Sequence, residues 1–329
     1  MSFWKDKKVM VTGGAGLIGS ALSANLIKCG SKVTIVDNFE RVKFDYIVDI
    51  MDDCIVKNAD LREARFCDLH IKDYDIVIHM ASKVGGIGYY TSRPYEVMSE
   101  NLKMDSNVLS ARVKNKIPMF FYASSAHVYP KELQGTPDSP LIREEQAEPA
   151  NPELSYGWAK LITEKQIEAA VQQSTSFKAA IARYIGIYGK NQDFKLDTGS
   201  VIPVFCNRAI SHPNVEFNVW GNGKETRSYC FIEDAIEGTK AMIEAMDSKN
   251  MVGPYNLGKQ ERVSIGEIAE KVIAISDKNI IINFDTSKET LIWGQWCDCS
   301  KIKNDLGWEA TTSLEEGLKV VYEDVKSRI

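Results

Sequence analysis

Val9-Met10-Val11-Thr12-Gly13-Gly14-Ala15-Gly16-Leu17-Ile18-Gly19, followed by Val33-Thr34-Ile35-Val36-Asp37, is the stretch that decides the fold. Val9 to Val11 is a short apolar run ending in a Gly-rich turn, the signature of a buried strand. Leu17 to Lys28 has helical spacing, with Gly30 as a C-cap, and Val33 to Asp37 reads as the next strand. Gly13, Gly16 and Gly19 form G-x-x-G-x-x-G, one residue longer in its first gap than the commonest dinucleotide fingerprint. The physical demands are the same: a tight turn, close approach of backbone to pyrophosphate, and close helix–strand packing. Asp37 closes the second strand 18 residues after Gly19. A carboxylate there accepts hydrogen bonds from both adenosine ribose hydroxyls and repels a 2′-phosphate, which predicts NAD over NADP. Arg41 and Lys43 are the cations that stand near enough to accept a 2′-phosphate instead, and a solvated loop acid is the competing reading of Asp37.

Working outward, buried strands are expected at Asp75 to Met80, Met119 to Ala123 and Phe177 to Tyr184, separated by helices at Pro94 to Lys114 and Tyr156 to Gln173. Strands alternating with helices predict an α/β fold, a Rossmann-type doubly wound parallel sheet. From about Tyr188 the loops lengthen and fill with Gly, Asn, Asp and Pro. This predicts a smaller C-terminal α/β substrate lobe over residues 186–329, beside a dinucleotide-binding domain over 1–185 with a returning segment near 229–262. There is no internal repeat.

The 329 residues are 44% hydrophobic and 26% charged, as in ordinary globular proteins, and a net charge of -5 gives no general attraction to nucleic acid. No run approaches 18 consecutive apolar residues and the N-terminus lacks a signal-peptide pattern, so a cytoplasmic protein without a membrane span is expected. The seven cysteines are scattered. Cys297-Asp298-Cys299 has no matching pair, so free thiols rather than a metal site are expected.

A Tyr-x-x-x-Lys spacing puts both side chains on one helical face, where the lysine lowers the tyrosine pKa and lets the phenol exchange a proton with a substrate hydroxyl. Three copies occur: Tyr156/Lys160, Tyr255/Lys259 and Tyr322/Lys326. Gly253-Pro254 and Gly258 suit a strand or loop around Tyr255, and Tyr322 lies in a C-terminal helix. Only Tyr156 opens a helix between parallel strands at the right distance behind the Gly-rich turn.

Over essentially its whole length the chain resembles the extended short-chain dehydrogenase/reductases of the NAD-dependent epimerase/dehydratase family. The matching stretches are Thr12 to Gly19, Asp60-Leu61-Arg62, Ala123 to Pro130, Tyr156-Gly157-Trp158-Ala159-Lys160, Trp220-Gly221-Asn222-Gly223 with Arg227 and Asp234, and Leu306-Gly307-Trp308. Lys83-Val84-Gly85-Gly86-Ile87 and Val128-Tyr129-Pro130 are most similar to the GDP-mannose 3,5-epimerase and GDP-fucose synthase branches. The resemblance implies NAD held by Gly13, Gly16, Leu17, Ile18, Gly19, Asp37 and Asn38, with Asp60 and Leu61 at the adenine. Ala81 and Lys83 would flank the cofactor, Asn101 would lie near it on a helix, and Lys160 would bind the nicotinamide ribose. Tyr156 would be the base and Ser125 its hydrogen-bonding companion, while Gly86, Ser125, His127 and Arg227 would meet the substrate, Arg227 at the diphosphate. A homodimer through the helices at 94–114 and 156–173 is also implied, with Val97, Leu102, Val108, Leu161 and Ile162 as its apolar stripe, although a purely internal face would have the same pattern.

The departures narrow the chemistry. His127 replaces a Cys of the two GDP-sugar branches and lies two residues beyond Ser125, which on one strand would aim both side chains into the cleft. A buried, hydrogen-bonded structural histidine is the competing reading. Ser200 stands where 3,5-epimerases have a second Lys, with Lys195 nearby. Ala126 and His127 replace the Asp-Glu pair of 4,6-dehydratases, which disfavours dehydration. Gly186 and Gln295 replace an Asn and an Arg. The expected activity is epimerisation of a nucleotide-sugar, a GDP-sugar oxidised at C4, through a transient keto-sugar. The alternatives are a C4 dehydrogenase or ketosugar reductase and, further off, a non-catalytic nucleotide-binding regulator.

Overall fold

The computed structural model describes residues 2–42, 46–174, 176–287 and 292–329. The first lobe runs β1 (Lys8–Thr12), α1 (Leu17–Lys28), β2 (Lys32–Asp37), β3 (Ile55–Asn58), α2 (Ala64–His70), β4 (Ile76–His79), α3 (Ile87–Ser92), α4 (Pro94–Lys114), β5 (Met119–Ser125), α5 (Ser155–Gln173) and β6 (Lys178–Tyr184). With the strand Met251–Leu257 they make a seven-stranded sheet in the order 251–257, β6, β5, β4, β1, β2, β3. Every pairing in it is parallel. The side chains alternate between two cores. Val9 and Val11 of β1 pack on the α1 side, while Met10 packs with Val77, Phe120 and Tyr122 on the side of α2, α4 and α5.

Two strands go beyond what the sequence specified. β3 is a four-residue edge strand with no fully buried residue, so it carries no apolar run for the sequence to show. Met251–Leu257 contains Gly253-Pro254, which suits a strand or a loop, and the structure makes it a strand. A register shift between Val252 and Tyr255 lets the strand pair with β6 around the proline.

Because β1 lies between β2 and β4, the chain winds one way from β1 to β3 and the other way from β4 to β6. The reversal opens a crevice at the carboxyl ends of β1 and β4. The second lobe packs the helices Val201–Ser211, Ile265–Ser276 and Leu314–Arg328 together. A small sheet sets Thr226–Arg227 between Val263–Ser264 and Gly294–Gln295. The helix Ile232–Ala245 returns to pack on α1 before the chain enters the seventh strand. Among the described residues no helix is long and apolar enough to cross a membrane.

Candidate cofactor and active site

The crevice is a cleft of about 440 Å³ lined by both turns of the opening motif and by the ends of β2, β4 and β5. Gly13 has φ +64°, and a Cβ there would meet the Ala81 backbone nitrogen at 2.6 Å. A Cβ on Gly19 would meet the Gly13 carbonyl oxygen at 2.2 Å, so the first turn of α1 sits on the glycine turn only because both residues lack side chains. α1 has Gly16 at its N-cap, no side-chain cap and no acidic residue in its first turn. Its leading N–H groups therefore face the cleft, a cradle for pyrophosphate. Gly13, Gly16, Leu17, Ile18 and Gly19 all line it.

At the end of β2, Asp37 accepts the Ala15 and Phe39 backbone N–H groups at 3.2 and 3.0 Å. Burial raises its pKa against those bonds, and the residue lines the cleft. Asn38, Asp60, Leu61, Ala81 and Lys83 line the same side. Lys83 is ion-paired to Glu40 (2.8 Å), Glu100 (2.9 Å) and Glu96 (3.3 Å), and Arg62 to Asp60 (2.5 Å) and Glu100 (2.6 Å). Both cations at the adenosine end are thus already faced by carboxylates. Arg41 is exposed at the rim, and Lys43 lies outside the described residues.

Asn101 is fully buried and does not line the cleft. It accepts the Ser82 hydroxyl and the Lys83 N–H, each at 2.8 Å, and donates to the Lys83 and Val97 carbonyls. It anchors the segment that flanks the cofactor and leaves no donor or acceptor for the cofactor itself. Ser82, which sequence reasoning passed over, faces the Tyr156 phenol together with Ser125.

Ser125 ends β5, and Ser125, Tyr156 and Lys160 line one end of the cleft. Burial pushes the Tyr156 pKa up to about 12 while the Ser82 and Ser125 hydroxyls work against the rise. The groups that moderate the phenol are therefore the serines, not the lysine expected from the Tyr-x-x-x-Lys spacing. The Lys160 ammonium is 4.6 Å from the centroid of Tyr122 and 5.7 Å from that of Tyr156.

His127 is not on β5. The strand ends at Ser125, and residues Ala126–Val128 form a 3-10 turn whose His127 N–H donates to Ser125 Oγ at 3.3 Å. The turn nevertheless brings the imidazole against the tyrosine, with ring centroids 5.8 Å apart. Gly157 makes this possible, since a Cβ there would lie 1.9 Å from the His127 carbonyl oxygen. Tyr90 of α3 stacks on Tyr156 at 5.1 Å and meets the His127 ring edge-on at 6.0 Å. Desolvation, with the positive charge of Arg227, lowers the His127 pKa to about 4, so the ring is a neutral base at physiological pH.

Arg227 is oriented by bonds from its guanidinium to the Thr226 and Ile292 carbonyls, both 2.8 Å. Gln295, paired across from it in the small sheet, bonds Gln134 at 2.7 Å. Gly86, His127 and Arg227 lie outside the lining of the cofactor cleft. Ser200 lines it, whereas Lys195 is exposed and does not. The other Tyr/Lys copies lie apart: Tyr255 donates to Asp305 at 2.7 Å, and Tyr322 is buried in Leu314–Arg328.

Residues 9–258 match the model of the NAD dependent epimerase/dehydratase family. The chain belongs to this family. NAD is accordingly its cofactor, and the glycine cradle and Asp37 fit that group. It is 30% identical to GDP-mannose 3,5-epimerase of Arabidopsis thaliana over 99% of this chain and 85% of that one. UDP-glucuronic acid 4-epimerase from Bacillus cereus, solved with UDP-glucuronic acid and NAD, is 26% identical with a TM-score of 0.83, covering 98% of this chain and all of the other. UDP-N-acetylglucosamine 4-epimerase from Methanobrevibacter ruminantium M1 is 23% identical with a TM-score of 0.86, covering 99% and 100%, a likeness of fold.

Proposed function

We propose that this family member is an epimerase acting on a GDP-sugar through a transient keto-sugar, with oxidation at C4. The observation that carries the reading is the meeting of Ser125, Tyr156 and a neutral His127 at the end of the NAD cleft. Residues 1–185 with the returning segment hold NAD, and residues 186–329 hold most of the sugar nucleotide. Asp37 accepts the adenosine ribose hydroxyls, Asp60 and Leu61 flank the adenine, and Lys160 binds the nicotinamide ribose. Bound NAD supplies the hydride acceptor and, on return, the donor. Tyr156 takes the proton of the sugar hydroxyl, Ser125 holds that hydroxyl, and the Ser82 and Ser125 hydroxyls offset part of the burial that makes the phenol reluctant to ionise. The ketone acidifies the neighbouring C–H bonds. His127 removes one of those protons, and return of a proton on the opposite face inverts the centre. Gly86 allows close approach of the sugar, and Arg227 pairs with the diphosphate.

The GDP assignment rests on the sequence likeness to the Arabidopsis enzyme. A second reading, C4 oxidation or reduction without proton exchange at carbon, is favoured by the exposed position of Lys195 outside the cleft, which leaves Ser200 where the resembling 3,5-epimerases have a lysine. Incubating the protein with GDP-, UDP-, dTDP- and CDP-sugars in D₂O, with NMR readout, separates the readings. Deuterium entering a carbon beside C4 of a GDP-sugar, lost in His127→Ala, is the expected result. Net oxidation without uptake would replace it with the second reading, and uptake only from another nucleotide would overturn the GDP assignment. Inversion at C4 without uptake would mark a simple 4-epimerase. We also propose a homodimer through α4 and α5.

A further inference from the structure

We propose that Asp105 is the counter-ion of Lys160, a positioning residue that keeps the ammonium group charged and aimed at the reaction centre from inside the protein. This rests on the reading of Lys160 given above. Lys160 is 1% exposed and Asp105 is 0% exposed. An ammonium group removed from water loses its charge or its place unless a carboxylate answers it.

Two acids are near. Glu164, one turn along α5, is spent: it takes Arg183 Nη2 at 2.6 Å and Nε at 3.0 Å, together with the Ser124 hydroxyl. Asp105 of α4 is differently placed. Its Oδ1 meets His79 Nε2 at 3.0 Å, and its Oδ2 accepts the Tyr122 hydroxyl at 2.6 Å and the Thr163 hydroxyl at 3.0 Å. Thr12 Oγ1 takes the Ala81 N–H at 3.4 Å and lies 2.6 Å from His79 Nδ1. A hydroxyl that accepts there can donate its own proton to Nδ1. That arrangement points Nε2–H at Asp105. His79, Tyr122 and Thr163 thus surround the carboxylate with three hydrogen-bond partners.

Lys160 reaches the same cluster through Tyr122. Its ammonium sits over the ring of Tyr122, the residue whose hydroxyl is on Asp105, and Thr163 bonds the same carboxylate from three residues along α5. Burial pulls the Lys160 pKa down, and Asp105 and then Glu164 push it back. Burial likewise raises Asp105, but Lys160 and His79 outweigh it and the carboxyl stays below its usual range. The groups around the ammonium are thus Asp105 from α4, Tyr122 from β5, and Tyr156 and Glu164 from α5, with His79 of β4 behind the carboxylate. Through Thr12 the same network reaches the start of the glycine turn, so one buried anion ties the lysine to both halves of the cofactor site.

The test is Asp105→Asn, which keeps the shape and removes the charge. Calorimetric titration with NAD is expected to show affinity falling at least tenfold between pH 7 and pH 9 in this variant, as Lys160 loses its proton, while the parent protein stays flat. Thr163→Val removes one hydrogen bond to the same carboxylate but no charge, and is expected to lower Tm without creating that pH dependence. A second measurement covers poor folding of the single variant. Lys160→Met leaves an unanswered buried carboxylate, so adding Asp105→Asn to it is expected to raise Tm above that of Lys160→Met alone. An NAD affinity of Asp105→Asn that stays flat with pH, or a Tm that falls further in the double variant, would overturn the proposal. Both readouts work without the sugar nucleotide, so the counter-ion and the epimerase reading fail independently.

Discussion

At the scale of single residues, the three Tyr-x-x-x-Lys copies show what a spacing says and what it omits. The helix start and its place between strands identified Tyr156, and the structure brings it to Ser125 at the cleft. Tyr156→Phe is expected to lower turnover about 10²-fold or more while NAD still binds. Tyr255→Phe gives up its bond to Asp305 and costs about 1 kcal/mol of stability, with turnover kept. Parent-like turnover in Tyr156→Phe would remove the phenol from the mechanism. Ser82, Tyr90 and Asp105 were not legible, because each acts through a contact between segments distant in sequence. An Asp in the middle of a helix reads as solvent-facing until the partners from β4, β5 and α5 are seen around it.

His127 carries a prediction of pH-dependent stability. Its pKa is about 4 in the folded protein against an ordinary value of 6.5, so between those values the unfolded chain binds a proton that the folded one refuses. Stability from this group is complete above pH 6.5 and is lost as pH falls toward 4. The loss is at most roughly 3 kcal/mol, reduced by the water that reaches a half-buried ring. Denaturant melts of the parent and of His127→Gln across pH 4 to 7 check it: the parent should lose more stability toward acid than the variant. Parallel curves would mean that the imidazole is protonated in place. Strand alternation was expected to aim His127 into the cleft beside Ser125, whereas a 3-10 turn and the bare Cα of Gly157 bring its ring against Tyr156.

At the scale of elements, the opening strand, turn, helix and strand were readable because every local demand agrees: apolar runs, glycines where a Cβ would clash, and an acid at the end of β2. β3 and the seventh strand were not, one because its side chains are half exposed and the other because it carries a proline tolerated only through a register shift. The end of β2 also gives a measurable preference. Asp37 lines the cleft, and the neighbouring Lys83 and Arg62 are already faced by Glu40, Glu96, Glu100 and Asp60, so neither of these two cations is free to welcome a 2′-phosphate. NAD is expected to bind at least tenfold more tightly than NADP in calorimetric titration, and Asp37→Ser to narrow the gap. Equal affinities in the parent would make Arg41 or Lys43 the governing residue.

At the scale of the whole molecule, α4 and α5 serve two surfaces at once. Their inner faces hold Asn101, Asp105, Tyr156, Lys160 and Thr163, together with Val97, Val108 and Leu161, so three residues of the expected intersubunit stripe are spent inside the chain. The outward stripe keeps the other two, Leu102 and Ile162, with new neighbours. Tyr95 is 84% exposed and Ile162 36% exposed, with Met98, Leu102 and Trp158 half-buried beside them. Met98 and Leu102, and likewise Trp158 and Ile162, are four residues apart, which lines each pair along one side of its helix. Two copies meeting through these stripes would bury apolar surface that a lone chain leaves in water, and would brace the helices that carry Lys160 and Asp105. Sedimentation at micromolar concentration is therefore expected to give twice the chain mass of 36.9 kDa. Leu102→Glu with Ile162→Glu is expected to shift the protein to monomer with a lower Tm, because isolated helix faces lose their brace. A parent protein that sediments only as monomer would leave the stripe without a partner of its own kind, and the site would then have to be complete within a single chain.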